Sequence, residues 1–127
     1  MNFEMIEIPD IRNKGVLGAE KLKEAERTEI EKYIDRDAVV VALDENGREF
    51  SSLAFSEFLE KKMVSGNRQL VFIIGGAFGI SSDFLDNCTD KISLSLMTFS
   101  HQMARLIFIE QLYRGFTIIK NEKYHHK

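Results

Sequence analysis

The chain has 127 residues, 44% hydrophobic and 29% charged, which fits one globular domain spanning 1–127 and excludes a disordered chain. A net charge of −3 and a pI near 5.6 exclude a protein that holds bare nucleic acid by a broad basic face. The single cysteine, Cys88, allows no internal disulfide and fits a reducing compartment. The longest apolar runs, Ala38–Leu43 and Leu70–Ile74, fall far short of the ~20 residues that cross a bilayer, and no basic-then-apolar leader opens the sequence. A cytoplasmic protein without a membrane partner is expected.

Met1–Ile8 alternates apolar residues with Asn and Glu and ends at Pro9, which predicts a half-exposed edge strand. Arg12 to Gly18 reads as a loop, and Ala19–Ile34 as a charge-rich surface helix with a narrow apolar stripe. Ala38–Leu43 is β-branched and apolar on both faces, as a buried parallel strand should be, and Asp44-Glu45-Asn46-Gly47 predicts the turn after it. Ser51 or Ser52 caps a helix in which Phe55, Phe58, Leu59 and Met63 share one face, with Gly66 as its stop. Leu70–Ile74 is a second buried strand that leads into Gly75-Gly76-Ala77-Phe78-Gly79. A short helix from Ser82 or Asp83 to Cys88 and a strand at Ile92–Leu94 follow. Ser100 then caps a long helix to about Arg114, and a brief extension at Thr117–Ile119 precedes the tail. Strand, turn and amphipathic helix alternate, so the expected fold is α/β with a mainly parallel sheet flanked by helices.

The glycine segment sits at the carboxyl end of a buried strand, where open α/β sheets collect ligands, and glycine permits close backbone approach. It lacks the G-x-G-x-x-G spacing, so a tight strand-to-helix turn reads equally well. The helix from Ser100 runs Leu106-Ile107-Phe108-Ile109 without a polar break, so it is either central to the core or packed on another subunit, with Phe108 or Ile109 at that contact in the second case. His101 and Arg105 share a face one turn apart. Each also has a plain structural reading, His101 as a helix-start residue bonded to backbone and Arg105 in an ion pair. Arg114 cannot act as a base near neutral pH, but its fork of donors suits a phosphate or a developing anion. Tyr124-His125-His126 alone reads as a frayed tail. The three histidines, with an adjacent pair at the end, form no metal constellation.

The order and spacing of four pieces resemble one family. They are Phe3–Pro9, Val41-Ala42-Leu43-Asp44, the segment Leu70–Gly79, and the run from Ser93-Leu94-Ser95-Leu96-Met97-Thr98-Phe99 to the terminal Tyr-His. They are similar to the ribosomal RNA large-subunit methyltransferase H family of the SPOUT superfamily. That resemblance implies a C-terminal trefoil knot, S-adenosylmethionine as methyl donor, and transfer to N3 of a pseudouridine in large-subunit ribosomal RNA. It also implies a donor site walled by Leu43, Gly75, Leu94, Ser95, Leu96, Met97, Thr98 and Phe99. Leu94 could equally be core. Arg114, Tyr124 and His125 become the catalytic candidates, with the tail reaching across a homodimer: Tyr124 to stack on the base, His125 to bond it or take its proton. The acidic charge makes the assembled ribosome the expected partner in place of free RNA. The family has proline where this chain has Ala77, Ser100 and Lys123, and a strand and helix upstream of the piece matching Phe3–Pro9. Without that segment a marginally stable chain is expected, and a non-catalytic SPOUT-fold relative that binds RNA or a ribosome is the alternative. A flavodoxin-like nucleotide binder would explain neither the loop nor the tail.

Overall fold

In the computed structural model the described residues are 3–7, 18–66, 69–75 and 80–125. The elements are α1 (Ala19–Glu31), β1 (Val39–Glu49), α2 (Ser52–Val64), β2 (Leu70–Ile74), α3 (Ser82–Asp86), β3 (Asp90–Ser93) and α4 (His101–His125). The three strands are parallel in the order β2-β1-β3, so the α/β, parallel-sheet expectation holds.

Because side chains alternate along a strand, each face of this sheet takes every second residue. Val39, Val41, Leu43, Leu70, Phe72, Ile74, Ile92 and Leu94 gather on one face with Phe55 and Leu59 of α2 and Phe108, Leu112 and Ile119 of α4. The alternate residue Val40 borders a cleft formed with Arg27 of α1 and Phe84 of α3. Helices therefore cover both faces, which explains why the strands read as continuous apolar runs.

The signals at Ser51, Gly66 and Ser100 act as expected, while α3 takes its cap from Ser81 and ends at Asp86, short of Cys88. Ser51 caps α2 by accepting from the Ala54 N–H at 3.0 Å, and Ser81 caps α3 through the Phe84 N–H. Gly66, with φ of 83°, ends the α2 segment in the left-handed conformation that costs glycine least. Ser100 accepts from the Met103 N–H at 3.3 Å at the start of α4.

Four expectations need correction. Residues 3–7 form no strand; the rest of Met1–Ile8, the loop from Arg12, and 76–79 of the glycine segment lie outside the described residues. The strand predicted to end at Leu43 continues to Glu49, because after the Asp44–Gly47 excursion the chain returns to pair Arg48 and Glu49 with β3. The last helix continues past Arg114 and takes in Thr117–Ile119, and Gly115 within it lies buried where α4 meets Leu59 of α2. Phe108 is 5% exposed and packs against Phe55 and Phe72, at ring-centroid distances of 6.1 and 4.9 Å, so it belongs to the core of its own chain and not to an interface. The threaded knot implied by the resemblance is not seen among the described residues.

Candidate functional site at the carboxyl end of the sheet

Three of the segments singled out in the sequence meet at one end of the sheet. Leu43 of β1 pairs with Ile74 on one side, the residue before Gly75, and with Ile92 on the other, two before Leu94. Parallel pairing thus sets Leu43, within β1, level with the carboxyl ends of β2 and β3, where Gly75 and Leu94 follow. Among the described residues β1 and β2 pair no further than Leu43 and Ile74, and the carboxyl ends of strands are where open α/β sheets collect ligands.

Leu43, Gly75, Leu94 and Ser95 are half-buried, whereas Leu96, Met97, Thr98 and Phe99 are exposed. Leu96 is 82% and Met97 74% exposed, apolar surface that no other part of the described chain covers. The root of this loop is held by hydroxyls. Ser93 Oγ donates to the Ser95 carbonyl at 2.9 Å, and Ser95 Oγ accepts from the Met97 N–H at 3.0 Å. The loop is therefore ordered at its base while it presents apolar side chains at its tip.

Beside Gly75 lies a shallow recess whose other lining includes Lys23 and Arg27 of α1 and Ser81 of α3. Sequence reading treated α1 only as a surface helix, yet Lys23 and Arg27 sit one turn apart on the face turned toward Gly75. Their i, i+4 spacing was the available signal. Arg27 also pairs with Glu31 at 3.4 Å and stands 5.7 Å from the Phe84 ring.

The catalytic candidates are placed elsewhere. At 1.5 Å per residue, α4 carries Arg114 about 20 Å and His125 about 36 Å along its axis from His101, just past the Leu94–Phe99 loop. Arg114 is exposed and hydrogen-bonded to Glu110 at 2.6 Å, a contact that raises its pKa still further and keeps it a fixed cation. Tyr124 and His125 belong to the last turn of α4. One chain thus does not bring Arg114, Tyr124 and His125 to the Leu94–Phe99 loop. Arg105 makes the ion pair that was its structural reading, to Glu7 at 3.2 Å, and His101 is exposed. Among the described residues no cluster of three or more His, Cys, Asp or Glu could hold a metal, and no helix is long and apolar enough to cross a membrane.

A parallel sheet covered on both faces, with a glycine and a polar, apolar-tipped loop at one end, defines an α/β protein of the class whose members collect ligands at the carboxyl ends of their strands. The sequence matches the model of the family described as "Predicted SPOUT methyltransferase" over residues 1–125. It is also 52% identical to "Ribosomal RNA large subunit methyltransferase H" of Flavobacterium johnsoniae and 54% identical to the protein of that name from Flavobacterium psychrophilum. Both alignments cover all 127 residues of the chain and 81% of the relative. The protein of that name from Phocaeicola vulgatus is 50% identical over the same spans. The chain belongs to the SPOUT methyltransferase family.

Proposed function

We propose that this methyltransferase acts on N3 of a pseudouridine in large-subunit ribosomal RNA within the assembled ribosome, as a cytoplasmic homodimer that uses S-adenosylmethionine. The observation that carries the reading is the meeting of Leu43, Gly75 and Leu94–Phe99 at one sheet end, in a chain about half identical to large-subunit methyltransferases along its whole length.

The residues fit such a donor. Adenine needs a flat apolar slot edged by backbone donors and acceptors; Leu43, Leu96, Met97 and Phe99 supply the apolar surface, and the strand ends and the loop backbone supply the polar edge. Gly75 allows close approach of backbone. When bound, S-adenosylmethionine supplies a methyl group on a sulfonium, already activated for attack by a nitrogen.

The remaining work falls to this chain's own side chains. N3–H of a uracil ring is a weak acid and has to lose its proton, which His125 is placed by this reading to accept. Arg114 stabilises the anion that forms or holds a neighbouring phosphate, and Tyr124 stacks on the base. Holding the base in line with the methyl supplies much of the acceleration. The length of α4 between the donor loop and these three residues is the reason they are assigned to the partner subunit's donor site. An exposed apolar stripe on α4, of Met103, Leu106 and Tyr113, gives the two subunits a surface on which to meet.

Deleting Tyr124 onward tests the assignment. The truncated protein is expected to keep S-adenosylhomocysteine binding in calorimetry and to lose methyl transfer. Full activity would remove Tyr124 and His125 from the mechanism.

A further inference from the structure

We propose that Gly47 and Ser93 are positioning residues for the donor loop Leu94–Phe99, setting its shape from its root; the inference rests on the donor-site reading above. Strand β1 meets β3 twice. Leu43 and Arg48 both take Ile92 as partner, so residues 44–47 leave the ladder and come back to it. Within that excursion the Asp44 carboxylate accepts from the Asn46 N–H at 3.1 Å.

The return is made at Gly47. A β-carbon there would lie 2.7 Å from the Ile92 nitrogen, 2.7 Å from the Lys91 carbonyl carbon and 2.8 Å from that of Ile92. Each of these is strand backbone, which cannot swing aside as the end of a long side chain does. Any residue larger than glycine would therefore push the returning β1 off β3.

What the return secures is the last pairing of the sheet, Glu49 with Ser93. Ser93 is 4% exposed, and its hydroxyl reaches forward to the Ser95 carbonyl, while the Ser95 hydroxyl holds the Met97 N–H. A line of contacts thus runs from Gly47 through the backbone of Ile92 and Ser93 into the first half of the loop. Leu96 and Met97 stand in solvent, and none of the described residues packs on the tip to fix them. The loop's conformation before the donor arrives is inherited from its root, and a preformed loop binds more tightly because less ordering remains to be done.

The test is calorimetry of the full chain with S-adenosylhomocysteine, together with donor-dependent methyl-transfer kinetics. Wild-type protein that binds none overturns the donor-site reading itself. With wild type binding, Ser93→Ala leaves the backbone ladder intact and is expected to weaken affinity about threefold to tenfold, the value of one hydrogen bond. Gly47→Ala is expected to weaken it by about tenfold or more. In kinetics both losses should fall on KM for the donor, with kcat at saturating donor within about twofold, a split that general damage to the fold would not produce. The double variant should lose no more than Gly47→Ala alone, because the two act along one line of contacts. If Gly47→Ala does not fold, Ser93→Ala decides alone. Folded Ser93→Ala with wild-type affinity, or independent, multiplying losses in the double variant, overturns the proposal.

Discussion

Phe108 and Leu106 lie two residues apart on α4 and should respond to substitution in opposite ways. Phe108 is 5% exposed and touches the rings of Phe55 and Phe72, whereas Leu106 is 62% exposed. Phe108→Ala empties the centre of the layer between α2, α4 and the sheet and should cost about 3–5 kcal/mol, nearer the upper figure because two ring contacts go with the volume. A domain of this kind has only about 5–15 kcal/mol in total, so the variant stands near the edge of folding. With a urea slope of about 1–3 kcal/mol/M, the midpoint should fall by about 2 M. Leu106→Ala should change the stability of the single chain by no more than about 0.5 kcal/mol. Leu106→Glu, by contrast, should turn a dimer into a folded monomer, since a charge buried without a partner at an interface is costly. Urea unfolding at one fixed protein concentration and sedimentation velocity give the two readouts. A Phe108→Ala loss below about 1 kcal/mol would mean that this helix face is not packed in its own core. A wild-type protein that sediments as a monomer at micromolar concentration would refute the association.

Two further substitutions probe separate parts of the molecule. Gly75→Val sets a branched side chain where the backbone has to approach the donor, and calorimetry should show affinity lost with the fold retained; unchanged affinity would place the donor elsewhere. Burial pushes the Cys88 thiol pKa up, with Lys91 acting against it, and its S–H donates to the Phe84 carbonyl at 3.3 Å. A folded pKa above the unfolded one gives stability that is complete below the unfolded value and is lost as pH rises through the folded value. Urea midpoints from about pH 7 to about pH 10 should therefore fall more steeply in wild type than in Cys88→Ala, and equal slopes would refute the assignment.

Much of the architecture could be read in residue patterns because it rests on local chemistry. Val39–Ala42 and Leu70–Ile74 announce buried strands by being apolar on both faces, and Ser51 and Gly66 mark the ends of α2 by capping and left-handed geometry. What escaped reading depends on partners distant in sequence. The return of β1 at Arg48 is decided by Ile92 and Ser93, more than forty residues on, and nothing in Asp44–Gly47 distinguishes it from an ordinary turn. Gly115 is a contact point between α4 and α2, since an added β-carbon would lie 2.6 Å from Leu59 Cδ1. The run Leu106–Ile109 looked like an interface because it has no polar break, but the run alone does not say that α2 and the sheet bury Phe108. The site shows the same division. Leu43, Gly75 and Leu94–Phe99 were legible through the resemblance and meet at one sheet end, whereas the Ser93 and Ser95 bonds and the nearness of Lys23 and Arg27 to Gly75 required the fold.

The proposal of an assembled ribosome as substrate rests on charge. On that proposal a chain with a net charge of −3 releases few counterions from RNA, and contacts to a folded ribosomal surface contribute the positioning. Labelled S-adenosylmethionine, incubated with the protein and either ribosomes from a methylation-deficient strain or their deproteinised RNA, tests this directly. Label should enter the large-subunit RNA of intact ribosomes, at N3 of a pseudouridine, and enter the naked RNA far more slowly. Label entering naked RNA as fast as ribosomes, or entering any other atom, would contradict it.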